Sequence, residues 1–324
     1  MQFSNPYSRK LIFLVLLAVP AYFFFSRMYN HFSKETFVPP APSSSLLPCD
    51  RVDPSVSVKR ANSVFNASLS LEKIDKLAQD EFNRVNCLSI HNTAKPKVII
   101  IVPYRDRAKD LLTFLIHMLP YTRYQGAKMQ ILVVEQNGTA PFNRAKLFNA
   151  AIREIDMSGT RGKDDRLAGS VCFSLHDIDK LPIHPDVPYV CKSGPHQLLR
   201  NRKSTKGTYW TYPGFLGGVT MFSREQLERM NGASNSFEGW GGEDDDMSMR
   251  VRMSKMSAVL APVSVGEFYE ASLEHTRNLN PQRMNLLTRP DQFKIMLTDG
   301  LRQTNYTCLQ RIDYKSFVWM LMAI

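Results

Sequence analysis

Three short runs of largely apolar residues constrain the fold of this chain more than any other feature. They are Val98–Val102, Ile131–Val134 and Val171–Leu175. Continuous apolar runs of this length are typical of strands buried on both faces of a parallel sheet. Segments with helical periodicity separate them, over Leu111–Leu119 and over Asn143–Ile155. The order strand, helix, strand, helix, strand predicts an α/β chain with an open, doubly wound sheet.

Polar residues follow each predicted strand, at Tyr104–Arg107, Glu135–Asn137 and Asp177–Asp179. Ligands of open α/β sheets bind beyond the carboxyl ends of the strands, so we expect the functional site at these segments. Asp177 and Asp179 are separated by one residue. Carboxylates spaced in this way can hold a divalent cation that also binds phosphate oxygens, because hard cations favour oxygen ligands. A solvated turn is the alternative interpretation of so short a pattern.

A second acidic segment has an unusual composition. Three glycines and Trp240 precede four consecutive carboxylates, Glu243–Asp246. An acidic run alone indicates a solvated loop. Here the glycines permit close approach of the backbone, and the tryptophan is suited to form a movable lid. The segment is therefore a second candidate part of the site.

The N-terminal residues predict a membrane anchor. Fifteen uncharged residues, Leu11–Phe25, end in three phenylalanines. A cleaved signal peptide would have small residues there, so we favour an uncleaved signal anchor. We predict a cytoplasmic tail at residues 1–10, a transmembrane anchor at 11–27, a proline- and serine-rich stem at 28–48 and a lumenal domain at 49–324. Helical spacing from Leu71 to Val85 predicts an amphipathic helix that joins stem and domain.

Glycosylation sequences and cysteines indicate that the domain lies in the secretory lumen. Asn66, Asn137 and Asn305 each begin an N-glycosylation acceptor sequence, and the five cysteines allow two disulfides. The formal charge of +11 favours an anionic partner such as a nucleic acid, a phospholipid or a phosphorylated metabolite. A lumenal location argues against a nucleic acid.

Five segments, taken together, resemble the β-1,4-galactosyltransferases, which are type II Golgi membrane enzymes with the GT-A glycosyltransferase fold. The segments are Val102–Arg107, Phe142–Leu147, Phe215–Val219, Gly239–Asp246 and Asn280–Arg283. The resemblance implies a Rossmann-like open sheet in a single-pass Golgi protein with a lumenal catalytic domain. It also implies inverting, metal-assisted transfer of galactose from UDP-galactose to O4 of a terminal β-linked N-acetylglucosamine, or a related sugar, on glycoproteins or glycolipids.

The same resemblance implies a role for each matching residue. Asp244 is the candidate base, Glu243 is its rival, and Trp240 is the lid. Asp179 and His275 are the implied ligands of a divalent metal, expected to be Mn²⁺. The implied donor-binding residues are Pro103, Arg105, Arg107, Phe142, Arg144, Asp177, Ile178, Phe215, Gly217 and Trp240. The implied acceptor-binding residues are Gly241, Gly242, Glu243, Asp244, Asp245, Arg283 and Met284.

The family's disulfide pattern implies the pairs Cys49–Cys87 and Cys172–Cys191, with Cys308 unpaired. The first pair would tie the end of the stem to the domain. The second would constrain the segment that carries Asp177 and Asp179.

Four positions depart from the family's pattern. Ser272 replaces a metal-ligating methionine, Phe215 replaces a donor-selecting tyrosine, and Glu238 and Met284 stand where aromatic residues are usual. The metal preference, the acceptor and the donor sugar are therefore open. Transfer of N-acetylgalactosamine from UDP-N-acetylgalactosamine is one alternative. The others are a non-catalytic lumenal protein that binds sugars or nucleotides, and a secreted structural protein.

Overall fold

The computed structural model describes residues 53–84, 97–125, 128–157, 171–272 and 278–324. The strands of this part of the chain are β1 (Val98–Tyr104), β2 (Met129–Gln136), β3 (Cys172–His176), β4 (Lys180–Pro182), β5 (His196–Gln197), β6 (Asn201–Ser204), β7 (Gly207–Trp210), β8 (Val219–Ser223), β9 (Val259–Leu260), β10 (Glu267–Glu270), β11 (Thr307–Asp313) and β12 (Val318–Ala323). The helices are α1 (Pro54–Val64), α2 (Leu71–Arg84), α3 (Ala108–Tyr124), α4 (Arg144–Met157), α5 (Arg224–Arg229), α6 (Glu243–Met253), α7 (Arg283–Leu287) and α8 (Gln292–Thr298), with a 3₁₀ turn at Leu301–Gln303.

Eight strands form one mixed sheet in the order β11-β12-β2-β1-β3-β8-β5-β9. The strands β2, β1 and β3 run parallel, as the apolar runs predict, and β12, which was not predicted, adds a fourth parallel strand beside β2. Strands β8 and β11 are antiparallel to their neighbours β3 and β12. The residues between β3 and β8 form no helix. Parallel neighbours usually need a helical crossover connection, so its absence here agrees with the antiparallel pairing of β8 with β3. The sheet is therefore parallel at its centre and mixed towards its edges, where β11–β12, β3–β8 and β8–β5 are antiparallel pairs and β5–β9 is a parallel pair.

The side chains of β1 alternate between two hydrophobic cores. Val98, Ile100 and Val102 pack in the core that also contains the buried side chains of α1, α2 and α3. Ile99 and Ile101 pack in the second core, with α4 and α6. All five side chains are almost completely buried, and each contributes about 1.5–3 kcal/mol of transfer free energy. The prediction of a sheet covered by helices on both faces is confirmed.

Helix α2 confirms the amphipathic helix expected between Leu71 and Val85. Its apolar residues Ile74 and Ala78 are buried in the first core. Asp75 is also buried, and its carboxylate accepts the backbone N–H of Ser316, 2.8 Å away, in the connection between β11 and β12. The helix is therefore fixed both to the core and to the C-terminal hairpin.

Four short strands form a second sheet in the order β4-β10-β6-β7. All four come after β3 and before β11 in the sequence. Strand β4 begins directly after Asp179, and β10 pairs with it in antiparallel register. This small sheet fixes the segment that follows the Asp-x-Asp pattern.

The predicted Cys172–Cys191 disulfide is present, with the two Cα atoms 5.7 Å apart. It joins β3 to the segment before β5, so it clamps the residues around Asp177 and Asp179 as expected. Among the described residues, Cys308 is a free cysteine. The predicted partners Cys49 and Cys87 lie outside the described residues.

Within the described ranges, no helix is both long enough and apolar enough to cross a membrane. The predicted tail, anchor and stem at residues 1–48 lie outside these ranges, so they stay predictions.

Removal of the Cys172–Cys191 bridge tests its contribution to stability. We expect Cys191→Ser to lower the free energy of unfolding by about 3 kcal/mol, because the bridge closes a loop over a sequence separation of 19. Cys308→Ser is the matched control and should change this free energy by less than about 0.5 kcal/mol. Urea denaturation without reductant measures both values. Equal effects of the two substitutions would contradict the assigned role of the bridge.

Candidate active site

The chain brings the carboxyl end of β3 next to the start of β8. The backbone N–H of Asp177 donates to the carbonyl of Gly218, 2.8 Å away. The glycine segment before β8 therefore borders the Asp-x-Asp segment after β3. This is the edge of the sheet at which the sequence predicted the site.

Arg144, the first residue of α4, connects two acidic segments. Its Nε donates to Oδ1 of Asp177 at 2.6 Å, and its Nη1 donates to Oδ1 of Asp244 at 2.9 Å. A third carboxylate, that of Glu243, lies 3.7 Å from Nη1. The guanidinium also lies over the ring of Phe148, 4.9 Å from its centre. Burial lowers the pKa of Arg144, but the carboxylates outweigh this effect and raise it, so the guanidinium stays charged.

The acidic run Glu243–Asp246 forms the first turn of α6. These residues do not form the solvated loop that an acidic run alone indicates. A helix N-terminus stabilises carboxylates through its free N–H groups and its dipole, so consecutive acidic residues fit there. Gly242 precedes the helix with φ of 97°, a left-handed conformation that favours glycine.

The four carboxylates of this turn have different partners. Asp244 faces Arg144, whereas the buried Asp246 accepts from Nε of Arg250 at 2.6 Å. Asp245 accepts a hydrogen bond from the hydroxyl of Tyr212 at 2.7 Å. Glu243 accepts from the N–H of Gly241 at 3.1 Å. Asp246 therefore stabilises the helix, and the other three carboxylates border the site.

Asp244 has a strongly perturbed ionisation. Burial raises its pKa to about 8; Arg144 opposes this shift, while Glu243 and Asp177 add to it. The short contact with Arg144 stabilises the carboxylate, but the cost of burial and the repulsion between like charges outweigh it. A Cβ at Gly217 would lie within 2.4 Å of both oxygens of Asp244. Only glycine at position 217 leaves room for Asp244 in this position.

Asp179 lies between two cations. Nη2 of Arg107 is 3.1 Å from Oδ2, and Nζ of Lys180 is 2.8 Å from Oδ1. Lys180 also contacts the carboxylate of Glu270 at 3.0 Å. Arg107 is held in turn by Asp110 at 2.7 Å. Asp179 is buried, and the two cations compensate for the contacts with water that its carboxylate loses there.

The implied metal site is described only in part. Asp179 lies at the predicted place, but His275 is outside the described residues. In the part of the chain that is described, no group of three or more His, Cys, Asp or Glu side chains could hold a metal ion. The assignment of Asp179 and His275 as metal ligands therefore stays a prediction.

Trp240, the implied lid residue, lies beside the segment around Asn280. Its N–H donates to the carbonyl of Asn278 at 2.7 Å, and its carbonyl accepts from the N–H of Asn280 at 2.9 Å. The N–H of Gly239 donates to the carbonyl of Phe142 at 2.8 Å. The Trp240 side chain is 46% exposed. The glycine-rich segment thus links the implied donor side to the implied acceptor side.

Arg283 and Met284 begin α7 next to that segment. The Arg283 side chain lies against the backbone of Gly241 and Gly242, where an added Cβ would approach it to 3.2 and 3.1 Å. Met284 is 59% exposed. Of these two implied acceptor residues, Arg283 thus contacts the glycine segment and Met284 presents an apolar side chain to solvent.

The remaining implied donor residues divide into two groups. Arg105 lies 5.4 Å from the centre of the Phe142 ring and donates to the carbonyl of Ala140 at 2.6 Å. Pro103 and Ile178 are buried, and Ile178 packs in the first hydrophobic core. A contact between Ile178 and the donor would therefore use its backbone, and its assignment as a donor-binding residue stays a prediction.

Three residues of the site have no counterpart among the predicted ones. Tyr212 lies edge-to-face on Phe215, with ring centres 5.2 Å apart, and binds Asp245. Lys180 and Glu270 form the buried pair beside Asp179. The position of Lys180 directly after the Asp-x-Asp pattern is a local signal that sequence analysis could have used. Glu270 is 90 residues further along the chain, and only the pairing of β10 with β4 brings it to Lys180.

Two family models match the chain. The model described as the N-terminal region of glycosyl transferase group 7 matches residues 49–192, and the model described as the N-terminal domain of galactosyltransferase matches residues 199–276. The mouse protein named beta-1,4-galactosyltransferase 4 is 33% identical, over 81% of this chain and 72% of its own. Beta-1,4-galactosyltransferase 3 of the rat is 30% identical, over 89% and 72%.

A solved structure supports the fold. The catalytic domain of Drosophila beta1,4galactosyltransferase 7, in complex with xylobiose, superposes with a TM-score of 0.51 at 23% identity, covering 71% of this chain and 94% of that one. This similarity shows a GT-A-like α/β fold. Together with the family models and the two mammalian relatives, it leads to one conclusion: the chain belongs to the β-1,4-galactosyltransferase family.

Proposed function

We propose that this protein is an inverting glycosyltransferase that moves galactose from UDP-galactose to O4 of a terminal β-linked N-acetylglucosamine or a related sugar. The observation that carries the proposal is the buried cluster around Arg144. It places Asp244, a carboxyl group with a raised pKa, next to Asp177 at the end of β3. Perturbed acidic groups held in this way at the ligand edge of an α/β sheet are typical of catalytic sites.

The transfer requires two electrostatic tasks, and different residues supply them. The acceptor hydroxyl must lose its proton, and the Asp244 carboxylate takes it as general base. The leaving diphosphate gains negative charge, and the cationic side chains of Arg105, Arg107 and Arg144 are the proposed donors to it. Attack from the face opposite the diphosphate inverts the configuration at the sugar's anomeric carbon.

We also propose a divalent metal, Mn²⁺, held by Asp179 and His275. Asp179 supplies the hard oxygen ligand that Mn²⁺ favours. A bound metal would act as a Lewis acid on the diphosphate. A mutant Drosophila beta1,4galactosyltransferase 7 has been solved in complex with manganese, UDP-Gal and xylobiose, and this supports the same metal and donor here. Ser272 supplies at most an oxygen ligand where the family has a methionine sulfur. An oxygen ligand favours hard cations.

The proposed location is the Golgi lumen, in a single-pass type II membrane protein. Asn66, Asn137 and Asn305 are all exposed, so each is accessible to a glycan. The Cys172–Cys191 disulfide fits an oxidising compartment. Both observations support a lumenal domain at residues 49–324.

Replacement of the base should separate chemistry from donor binding. Asp244→Asn keeps the shape of the side chain but removes the proton acceptor. We expect turnover to fall by about 10²–10⁴-fold while UDP-galactose binding with Mn²⁺ is nearly unchanged. Single-turnover kinetics and isothermal titration calorimetry measure the two effects.

Two further substitutions are the controls for this experiment. Asp179→Ala should weaken metal-dependent donor binding first, because Asp179 is on the metal side of the site. Glu243→Gln tests the rival base. An Asp244→Asn enzyme with near-normal turnover, beside an inactive Glu243→Gln enzyme, would transfer the role of base to Glu243. Normal turnover in both would contradict the mechanism.

The pH profile should report the raised pKa of Asp244. Because kcat/KM reflects ionisations of the free enzyme, we expect it to rise from about pH 6 to about pH 8 and then level off. The folded protein keeps a proton on Asp244 that the unfolded chain releases above about pH 4. The free energy of unfolding should therefore fall as the pH rises from about 4 to about 8. Asp244→Asn should make that fall in stability smaller. A kcat/KM that is constant from about pH 6 to about pH 8 would contradict the assignment.

Phe215 should select the donor sugar. Its ring, held against Tyr212, leaves little space for an N-acetyl group on carbon 2 of the donor, so we expect UDP-galactose to be preferred over UDP-N-acetylgalactosamine. Phe215→Ile should shift the ratio of kcat/KM values towards the N-acetylated donor by roughly tenfold or more. Phe293→Ile, at an exposed position of α8, is the matched control. A parent enzyme that already prefers UDP-N-acetylgalactosamine would show that the steric argument is wrong and would favour that alternative activity.

A further inference from the structure

Lys180 is a charged side chain in an unusual place. Its side chain is 9% exposed, and its ammonium group lies 2.8 Å from Oδ1 of Asp179 and 3.0 Å from Oε1 of Glu270. Lysine is almost never buried to this extent unless it is paired. Here it is paired with the carboxylate that the proposed function assigns to the metal.

The sheet holds this lysine in position. Lys180 and Glu270 are directly opposite each other in the antiparallel pairing of β4 with β10. Nε of Arg202, on the neighbouring strand β6, lies 3.7 Å from the other oxygen of Glu270. The partners of the ammonium group are thus held on paired strands. Strand register keeps it beside Asp179.

A divalent cation bound to Asp179 would meet fixed positive charges. Oδ1 of Asp179 already faces Lys180, and Oδ2 faces Arg107. Like charges a few ångströms apart in a poorly solvated site repel strongly. Each of these cations also competes for oxygen lone pairs that a metal would use.

We propose that Lys180 is a built-in competitor of the metal, which lowers the affinity of the Asp179 site for divalent cations. The inference rests on the proposed function, because it takes Asp179 as the metal ligand. It assigns to Lys180 a positioning and charge-balancing role that the transfer mechanism above does not use. The consequence is that the Asp179 site fills only at a higher concentration of free metal than it would need without Lys180.

The test is a Mn²⁺ titration of the purified full-length protein, followed by the electron paramagnetic resonance signal of free Mn²⁺. Lys180→Met should bind Mn²⁺ on the order of tenfold more tightly than the parent. Lys180→Arg keeps the positive charge and should bind Mn²⁺ like the parent. Lys203→Met removes an exposed lysine from β6 and should also leave the affinity unchanged.

A second variant protects the test against misfolding. Lys180→Met leaves Glu270 with less positive charge around it, so the double substitution Lys180→Met with Glu270→Gln restores neutrality. It should bind Mn²⁺ more tightly than Glu270→Gln alone, because the two proteins differ only in the charge of residue 180, and its thermal transition should be close to that of the parent. A folded double variant that binds Mn²⁺ no more tightly than Glu270→Gln alone would overturn the inference.

Asp179→Asn distinguishes this failure from a failure of the proposed function. Loss of Mn²⁺ binding in Asp179→Asn, with unchanged affinity in the Lys180 variants, would overturn the role of Lys180 and leave the metal assignment intact. Parent-like Mn²⁺ binding in Asp179→Asn would place the metal elsewhere, and both the assignment and the inference would then be wrong.

Discussion

The site depends on one guanidinium group. Arg144 donates to Asp177 at the end of β3 and to Asp244 at the start of α6, two segments that are far apart in the sequence. Without a buried cation between them, the carboxylates of Asp177, Glu243 and Asp244 would repel one another at short range. A buried charge is tolerated only when partners compensate for the water it loses, and here the cation and the carboxylates compensate for each other. The proposed donor side and the proposed base thus form one electrostatic unit.

The backbone is shaped around this unit. The absence of a Cβ at Gly217 leaves space for the Asp244 carboxylate, and the left-handed conformation of Gly242 starts α6 so that its first turn carries the acidic residues. The paired ends of β3 and β8 bring Gly217 and Asp177 together. Neither glycine could be replaced without moving the carboxylate that carries the proposed chemistry.

The sequence alone predicts the centre of the fold well, for a physical reason. Each residue of Val98–Val102 is buried on one face or the other of the sheet, so the run is continuously apolar and easy to identify. The Asp-x-Asp pattern and the glycine-tryptophan segment also indicated the site. These features are local in the chain, and local patterns can be read from a sequence.

Long-range contacts could not be predicted in this way. Consecutive acidic residues look like a solvated loop until the helix that they begin is known, so the helical turn at Glu243–Asp246 was not predicted. The pairing of Lys180 with Glu270 depends on the register of β4 and β10. The second partner of Arg144, Asp244, is 100 residues away and has no signal near the arginine. Such pairs are set by topology rather than by spacing.

The central claim is that Arg144 makes the two acidic segments one site. A double-mutant cycle with Asp177→Asn and Asp244→Asn, measured as free energies of unfolding at about pH 9, tests it most directly, because the Asp244 carboxylate is then largely ionised. Residues that share one buried partner are coupled, so the account predicts that the effects of the two substitutions differ from additivity by about 1 kcal/mol or more. Effects that add to within about 0.3 kcal/mol would contradict it.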